Sequence, residues 1–226
     1  VHPEFLQSTA VQGDKDTCWL FSRQYPFTSL AAGLVALTRV RTPATAHYVV
    51  SATQDPHSEI AVLHLPEGAA LVMPPHNLVG MLQQRGAPLR ITSHWRLGSL
   101  HAWLTLQLRY LAFHGPAQLI VQGCRGVRVE QAQQGRSIQQ AATIGFNPNL
   151  AYTTRRSDTF GAYLLGKQGL FNDHFAAAAD ADESKGDCAA PGFYVYEEMP
   201  HTQLRGGRAR RGLEGVLDSV LKVFGI

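Results

Sequence analysis

Short runs rich in β-branched and aromatic residues, separated by turns that carry glycine or proline, leave this chain few options. Continuous runs occur at Tyr48-Val49-Val50, Leu119-Ile120-Val121 and Phe193-Tyr194-Val195-Tyr196, and apolar residues alternate at Leu104, Leu106 and Leu108 and at Val127 and Val129. Alternation marks a strand with one buried face, because successive side chains point to opposite sides of a pleated backbone. Between the runs stand Pro66-Glu67-Gly68, Gly115-Pro116, Gly123-Cys124-Arg125-Gly126, Gln134-Gly135, Asn147-Pro148-Asn149 and Pro191-Gly192. Such residues supply the fixed or positive φ that turns demand. A parallel α/β fold would need helical stretches between its strands, so the pattern predicts an all-β sandwich or barrel.

At 226 residues the chain is long enough to bury a core as one domain or as a duplicated one. With 45% hydrophobic and 16% charged residues it is not of the disordered class. The uncharged run from Tyr25 to Thr38 is fourteen residues, whereas a helix needs roughly twenty to cross a bilayer. The opening Val-His-Pro-Glu-Phe has no basic stretch feeding an apolar one, so no secretory signal is read there. Cys18, Cys124 and Cys188 lie far apart with no CxxC pair, which indicates neither a disulfide framework nor a zinc site and makes a cytoplasmic setting the simplest expectation. The net charge of +3 belongs to the tail, since residues 1–200 carry 15 Lys+Arg and 15 Asp+Glu while residues 201–226 carry 5 and 2. Beyond Arg155 and Arg156 the body has no basic cluster, so nucleic acid is not an expected partner.

Three segments share one plan of an apolar strand, a proline-bearing turn and a second strand. They run from Leu34 to Val50, from Leu104 to Val121 and from Leu170 to Tyr196, with Pro43, Pro116 and Pro191 spaced 73 and 75 residues apart. A second hairpin recurs from Glu67 (EGAALVMPPHNLVGM) and from Gln134 (QGRSIQQAATIGFNP), with Gly68 and Gly135 67 residues apart. Internal duplication is the economical reading, with units over roughly 34–103 and 104–198; chance repetition in any Gly- and Pro-punctuated β chain is the competing one. The acidic, alanine-rich stretch 176–190 is read as a mobile surface insert within a β domain spanning 1–200.

The tail differs from the body. Arg205, Arg208, Arg210 and Arg211 lie in a glycine-bearing basic linker, residues 201–212. In 213–226, Leu213, Val216, Leu217, Val220, Leu221 and Phe224 recur at the spacing that puts all six on one face of a helix. A basic linker before an amphipathic helix suits attachment to an anionic membrane surface. Glu214 and Asp218 against Lys222, with no Trp, favour docking on the body or on neighbouring subunits instead.

Residue chemistry points to no reaction. A cupin metal site needs two His one residue apart on a strand, with a carboxylate and a third His nearby. No His-x-His occurs among the ten histidines; His94 and His101 are seven apart and His64 and His76 twelve, so any site would have to be assembled by the fold. Cys124, beside Arg125 and with His114 as a conceivable base, could be a reactive thiol, but Gly123 and Gly126 around it read as a hairpin turn. Asp158 reads as an ion-pair partner of Arg155 and Arg156. Trp95, Trp103, Phe160, Tyr163, Phe171 and Tyr194 are expected to fill the core rather than line a ligand pocket.

Three motifs carry a family resemblance: Gly166-Lys167-Gln168-Gly169-Leu170-Phe171, Pro191-Gly192-Phe193-Tyr194-Val195 and Phe146-Asn147-Pro148. In order and spacing they resemble the mitochondrial-biogenesis family named for altered inheritance of mitochondria, whose bacterial members are called TRAP-like; the similarity runs from about Ala61 to Tyr196. Lys167 and the insert at 176–190 depart from the family pattern. The resemblance implies a double-stranded β-helix or β-sandwich of repeated units, assembled into a ring-like oligomer, favoured as a trimer, with no catalytic residues and no cofactor. Together these readings anticipate a non-catalytic, self-associating scaffold or interaction protein that meets a protein partner or a membrane surface through its tail. A cupin-like small-molecule or metal-binding protein is the alternative.

Overall fold

The computed structural model describes residues 1–8, 14–41, 47–52, 56–83, 89–95, 109–132, 135–156, 171–176 and 192–199. Among them are sixteen strands, one short α-helix and three single 3₁₀ turns, so the chain is all-β. It opens with β1 (Leu6–Ser8), β2 (Asp14–Leu20), α1 (Pro26–Ala31), β3 (Val35–Arg41) and β4 (Val49–Val50), where β2 pairs with β3 and β1 with β4. Helix α1 starts on Pro26, whose missing N–H costs nothing in a first turn. It stops at Gly33, φ 72°, where the Gly33 N–H donates to Leu30 O and the Leu34 N–H donates to Ser29 O. That paired closure needs a left-handed residue, which glycine adopts without strain.

Three antiparallel sheets follow. They are built from β5 (Ser58–Leu65), β6 (Ala70–Val72), β7 (Leu78–Leu82), β8 (Arg90–Trp95), β9 (Arg109–His114), β10 (Ala117–Cys124), β11 (Val127–Gln131), β12 (Arg136–Gln139), β13 (Thr143–Phe146), β14 (Ala151–Arg156), β15 (Phe171–Ala176) and β16 (Phe193–Glu197). The large sheet has the order β11-β16-β13-β6-β9-β8, and two smaller ones have the orders β5-β10-β7 and β12-β15-β14.

Each smaller sheet packs on a different face of the large one. Leu63, Leu65, Leu119 and Val121 of β5 and β10 meet Leu71, Leu111, Phe113, Ile144 and Val195 in the first core. On the opposite face, Ile138 and Phe175 meet Tyr194, with Phe146, Tyr152 and Tyr196 around them. Strand β16 belongs to both: Phe193 and Val195 face the first core, Tyr194 and Tyr196 the second. Its run of four nonpolar and aromatic residues therefore reflects burial on both sides, as in the central strands of covered sheets. Each such side chain contributes about 1.5–3 kcal/mol on leaving water.

The three strand–turn–strand segments do not form hairpins. Strand β3 pairs with β2 and β4 with β1; β9 lies in the large sheet while β10 lies in the first small one; β15 lies in the second small sheet while β16 lies in the large one. The Gly123–Gly126 turn likewise steps between sheets, from β10 to β11, with Arg125 at φ 54° and Gly126 at φ 116°. From β5 onward, consecutive strands among the described residues share a sheet only at β8–β9 and β14–β15. Stepping across lets both strands of a connection turn apolar residues into one core, which pairing side by side would not require. The second recurring motif does fold alike in its two occurrences. β6, a 3₁₀ turn at Pro75–Asn77 and β7 form one corner, and β12, a 3₁₀ turn at Gln140–Ala142 and β13 form the other.

Gly145 sits where β13 runs beside β6 in the large sheet: a Cβ there would stand 2.6 Å from the Val72 carbonyl oxygen and 3.0 Å from Met73 Cβ. Gly145→Ala is expected to destabilise the protein by about 1–3 kcal/mol through overpacking. Urea unfolding measures this, and a loss within experimental error would show that β6 and β13 are not so closely apposed.

Candidate functional site

The tail residues singled out by sequence, Leu213, Val216, Leu217, Val220, Leu221 and Phe224 together with Arg205, Arg208, Arg210 and Arg211, lie outside the described residues. So do the insert from residue 177 onward, His101, Trp103, Asp158, Phe160, Tyr163, residues 166–170, Cys188 and Pro191. What the structure shows is a packed interior and one prominent aromatic surface.

That surface is centred on α1. Phe27 and Leu30, one helical turn apart, are 84% and 65% exposed, although both are large and apolar. Trp95, expected in the core, is instead 51% exposed at the end of β8. Arg109, its cross-strand partner on β9, joins the two. Its guanidinium carbon lies 5.6 Å from the Trp95 ring and 5.0 Å from the Tyr25 ring, and Nη1 donates to Thr28 Oγ1 at 3.3 Å. Below α1 a shallow cleft is lined by Phe21, Tyr25, Leu34, Ile91 and Leu111. Aromatic residues around an arginine, resting on a rigid sheet, have the composition of a protein-contact hot spot. Tyr25 and Pro26 would have been legible in sequence as a helix start, but nothing there showed which way Phe27 faces.

The second core contains polar groups that sequence analysis missed. The rings of Phe146 and Tyr152 stack at 4.8 Å and those of Phe175 and Tyr194 at 5.1 Å. Against them Asp173 is 2% exposed and accepts a hydrogen bond from Tyr152 Oη at 2.9 Å. Burial pushes the Asp173 carboxyl up to about 6, against the opposing pull of the Thr143 and Tyr152 hydroxyls. The Tyr152 phenol is pushed far up by the same burial, and further by the aspartate. At the other edge, Glu130 accepts from Tyr194 Oη and Tyr196 Oη, both at 2.7 Å, and pairs with Arg136. The Tyr194 hydroxyl, then that of Tyr196, holds the Glu130 carboxyl below its ordinary range. The signal for Asp173 was present in Phe171-Asn172-Asp173-His174-Phe175: on a strand, Asp173 shares a face with Phe175.

Cys124 is fully buried, with its backbone N–H donating to Glu197 Oε2 at 2.9 Å, which removes the thiol from solution chemistry. His114 faces Thr92 on β8 rather than acting on this thiol. Tyr194 fills the second core as expected. Among the described residues no three His, Cys, Asp or Glu side chains converge as a metal-ligand set. No helix among them is long and apolar enough to cross a membrane.

No family model matches the chain. No curated protein matches it either. Among solved structures it is similar to the crystal structure of a Streptococcus pyogenes protein determined as a structural genomics target. The TM-score is 0.54 at 11% identity, over 91% of this chain and 84% of that one. At this identity the likeness is one of fold, and it spans nearly the whole of both chains.

The buried aspartate gives a signed pH dependence. A carboxyl raised from 3.8 to about 6 is protonated more readily in the folded state than in the unfolded one. Its contribution is therefore greatest below about pH 4 and is lost as pH rises through 6, a swing of about 3 kcal/mol. Asp173→Asn keeps an acceptor for Tyr152 without a charge to bury. Its stability relative to the parent should rise by about that amount between pH 4 and pH 7 in urea titrations, and a difference independent of pH would contradict the assignment.

Proposed function

We propose that this protein is a non-catalytic interaction protein that self-associates, built as an internally duplicated double-stranded β-helix or sandwich of the TRAP-like kind. The favoured assembly is a ring of three copies. The observation that carries this reading is the surface at α1, where Phe27 and Leu30 are held out to solvent on the helix that Arg109 ties through Thr28 to the exposed Trp95, while the two cores are filled. A monomer gains nothing from displaying such residues together, and a second copy of the chain is the occupant that a self-associating protein supplies. In a three-fold ring each copy offers two different surfaces to its neighbours, and the α1 patch is one of that pair. The matching corners β6–β7 and β12–β13 support duplication. The tail helix is a second contact element; on a ring, three weak tails acting together would give the avidity that attachment to an anionic membrane surface requires.

Light scattering tests this. The intact chain should have the mass of three copies, a chain ending at Pro200 should keep it, and Phe27→Asp combined with Leu30→Asp should fall to the mass of one. Both positions are exposed, so the double variant should retain the circular dichroism of the parent. A single-copy mass for the intact chain, or an unchanged mass for the double variant, would remove the α1 contact.

A further inference from the structure

Strands β8 and β9 carry a second group of side chains, on the sheet face opposite to Trp95 and Arg109. The register sets Arg90 opposite His114, Thr92 opposite Ala112 and His94 opposite Tyr110. The two histidines are therefore far apart along the ribbon, yet both rings reach one point: Thr92 Oγ1 lies 3.0 Å from His94 Nε2 and 2.8 Å from His114 Nε2. Arg90 and His94 are exposed, Thr92 and His114 half-buried. Arg90 forms no ion pair with any carboxylate among the described residues. Of the other groups around this face, Tyr110 stands beside His94, and β6, the other neighbour of β9, presents only Ala70 and Val72 opposite His114 and Ala112. Tyr152 of β14 adjoins Tyr110, with Asp173 hydrogen-bonded behind it.

A hydroxyl has one proton to give. With neutral rings, Thr92 donates to one Nε2 and accepts from the other, and the trio is satisfied. When both rings are protonated, both Nε2–H groups are donors, the Thr92 proton is released to point outward, and three positive charges with a hydroxyl donor stand together. Arg90 and His94 already act against a proton on His114, beyond what its burial does. A divalent metal would add further positive charge beside Arg90 and would displace Thr92 from both nitrogens. An anion relieves the repulsion and takes every donor at once.

We propose that Arg90, Thr92, His94 and His114 form a binding site for a tetrahedral oxyanion, the phosphate group of a soluble phosphate or of a lipid headgroup. Arg90 supplies the permanent charge and planar fork, Thr92 a hydroxyl donor, and the two imidazoles protons that arrive with the ligand. Binding thus strengthens as pH falls through the histidine range. This site shares no residue with the contact surface at α1, so the failure of one leaves the other standing.

The test follows the imidazole Cε1–H resonances of the full-length protein by NMR. Inorganic phosphate at pH 6 should shift the His94 and His114 signals saturably. Sulfate, a dianion throughout, should bind at least tenfold more weakly at pH 8 than at pH 6. Arg90→Gln, at an exposed position, should weaken phosphate binding at least tenfold with the circular dichroism unchanged, and Thr92→Val should weaken it to a lesser degree. A short-chain, water-soluble phosphatidic acid identifies the source: tighter binding than phosphate assigns a lipid headgroup, and equal binding a soluble phosphate. Absence of saturable shifts at pH 6, or full binding by Arg90→Gln, overturns the proposal.

Discussion

Strand β16 holds the molecule together. Phe193 and Val195 complete one core while Tyr194 and Tyr196 complete another, so five residues of backbone separate two hydrophobic clusters that would otherwise belong to independent bodies. Its ladders to β11 and β13 satisfy its backbone on both edges, as a strand packed on both faces requires. Among the described residues the two cores meet across this sheet. Gly145 is small because the backbone of the neighbouring strand, at the Val72 carbonyl, comes close there.

The cost of a second core is visible in its polar groups. Aromatic stacking fills the space between β14, β15 and β16 but leaves hydroxyls and a carboxylate inside. They are handled differently at the two ends. Glu130 keeps its charge among two phenols and an arginine near the surface, whereas Asp173, deep between the sheets, has only hydroxyls and retains its proton to higher pH. The first core is lined by aliphatic residues apart from Phe113 and Met73, and its own buried carboxylate stands at its edge, where Glu197, on the same face of β16 as Val195, accepts from the Cys124 N–H.

The β character of the chain was legible because alternation and turn residues are local. The continuous run at Phe193–Tyr196 was read as a strand, and the packed cores add that this strand is covered on both faces. Strand partners were not legible, because Gly115-Pro116 and Gly123–Gly126 turn the chain equally well within a sheet or between facing sheets, and only the packed cores decide. Helix α1 had its signals in Pro26 and Gly33 but is too short for a periodic pattern to expose it. A search for histidines close in sequence could not find His94 with His114, which meet only through the β8–β9 register. Trp95 was assigned to the interior because aromatic residues usually are; its exposure follows from its place at the end of an edge strand beside α1. The tail residues that sequence placed at the centre of function lie outside the described residues, and the surfaces at α1 and on β8–β9 carry the functional reading of the body.

Native-state hydrogen exchange tests most directly the claim that a shared strand makes two cores one cooperative body. Amides of β10, β13, β15 and β16 should exchange only through global unfolding, with one common free energy and one common denaturant dependence. If amides of β12 and β15 instead opened at a distinctly lower free energy while β5 and β10 stayed protected, the second core would be a separate unit resting on the first, and β16 would not be its keystone.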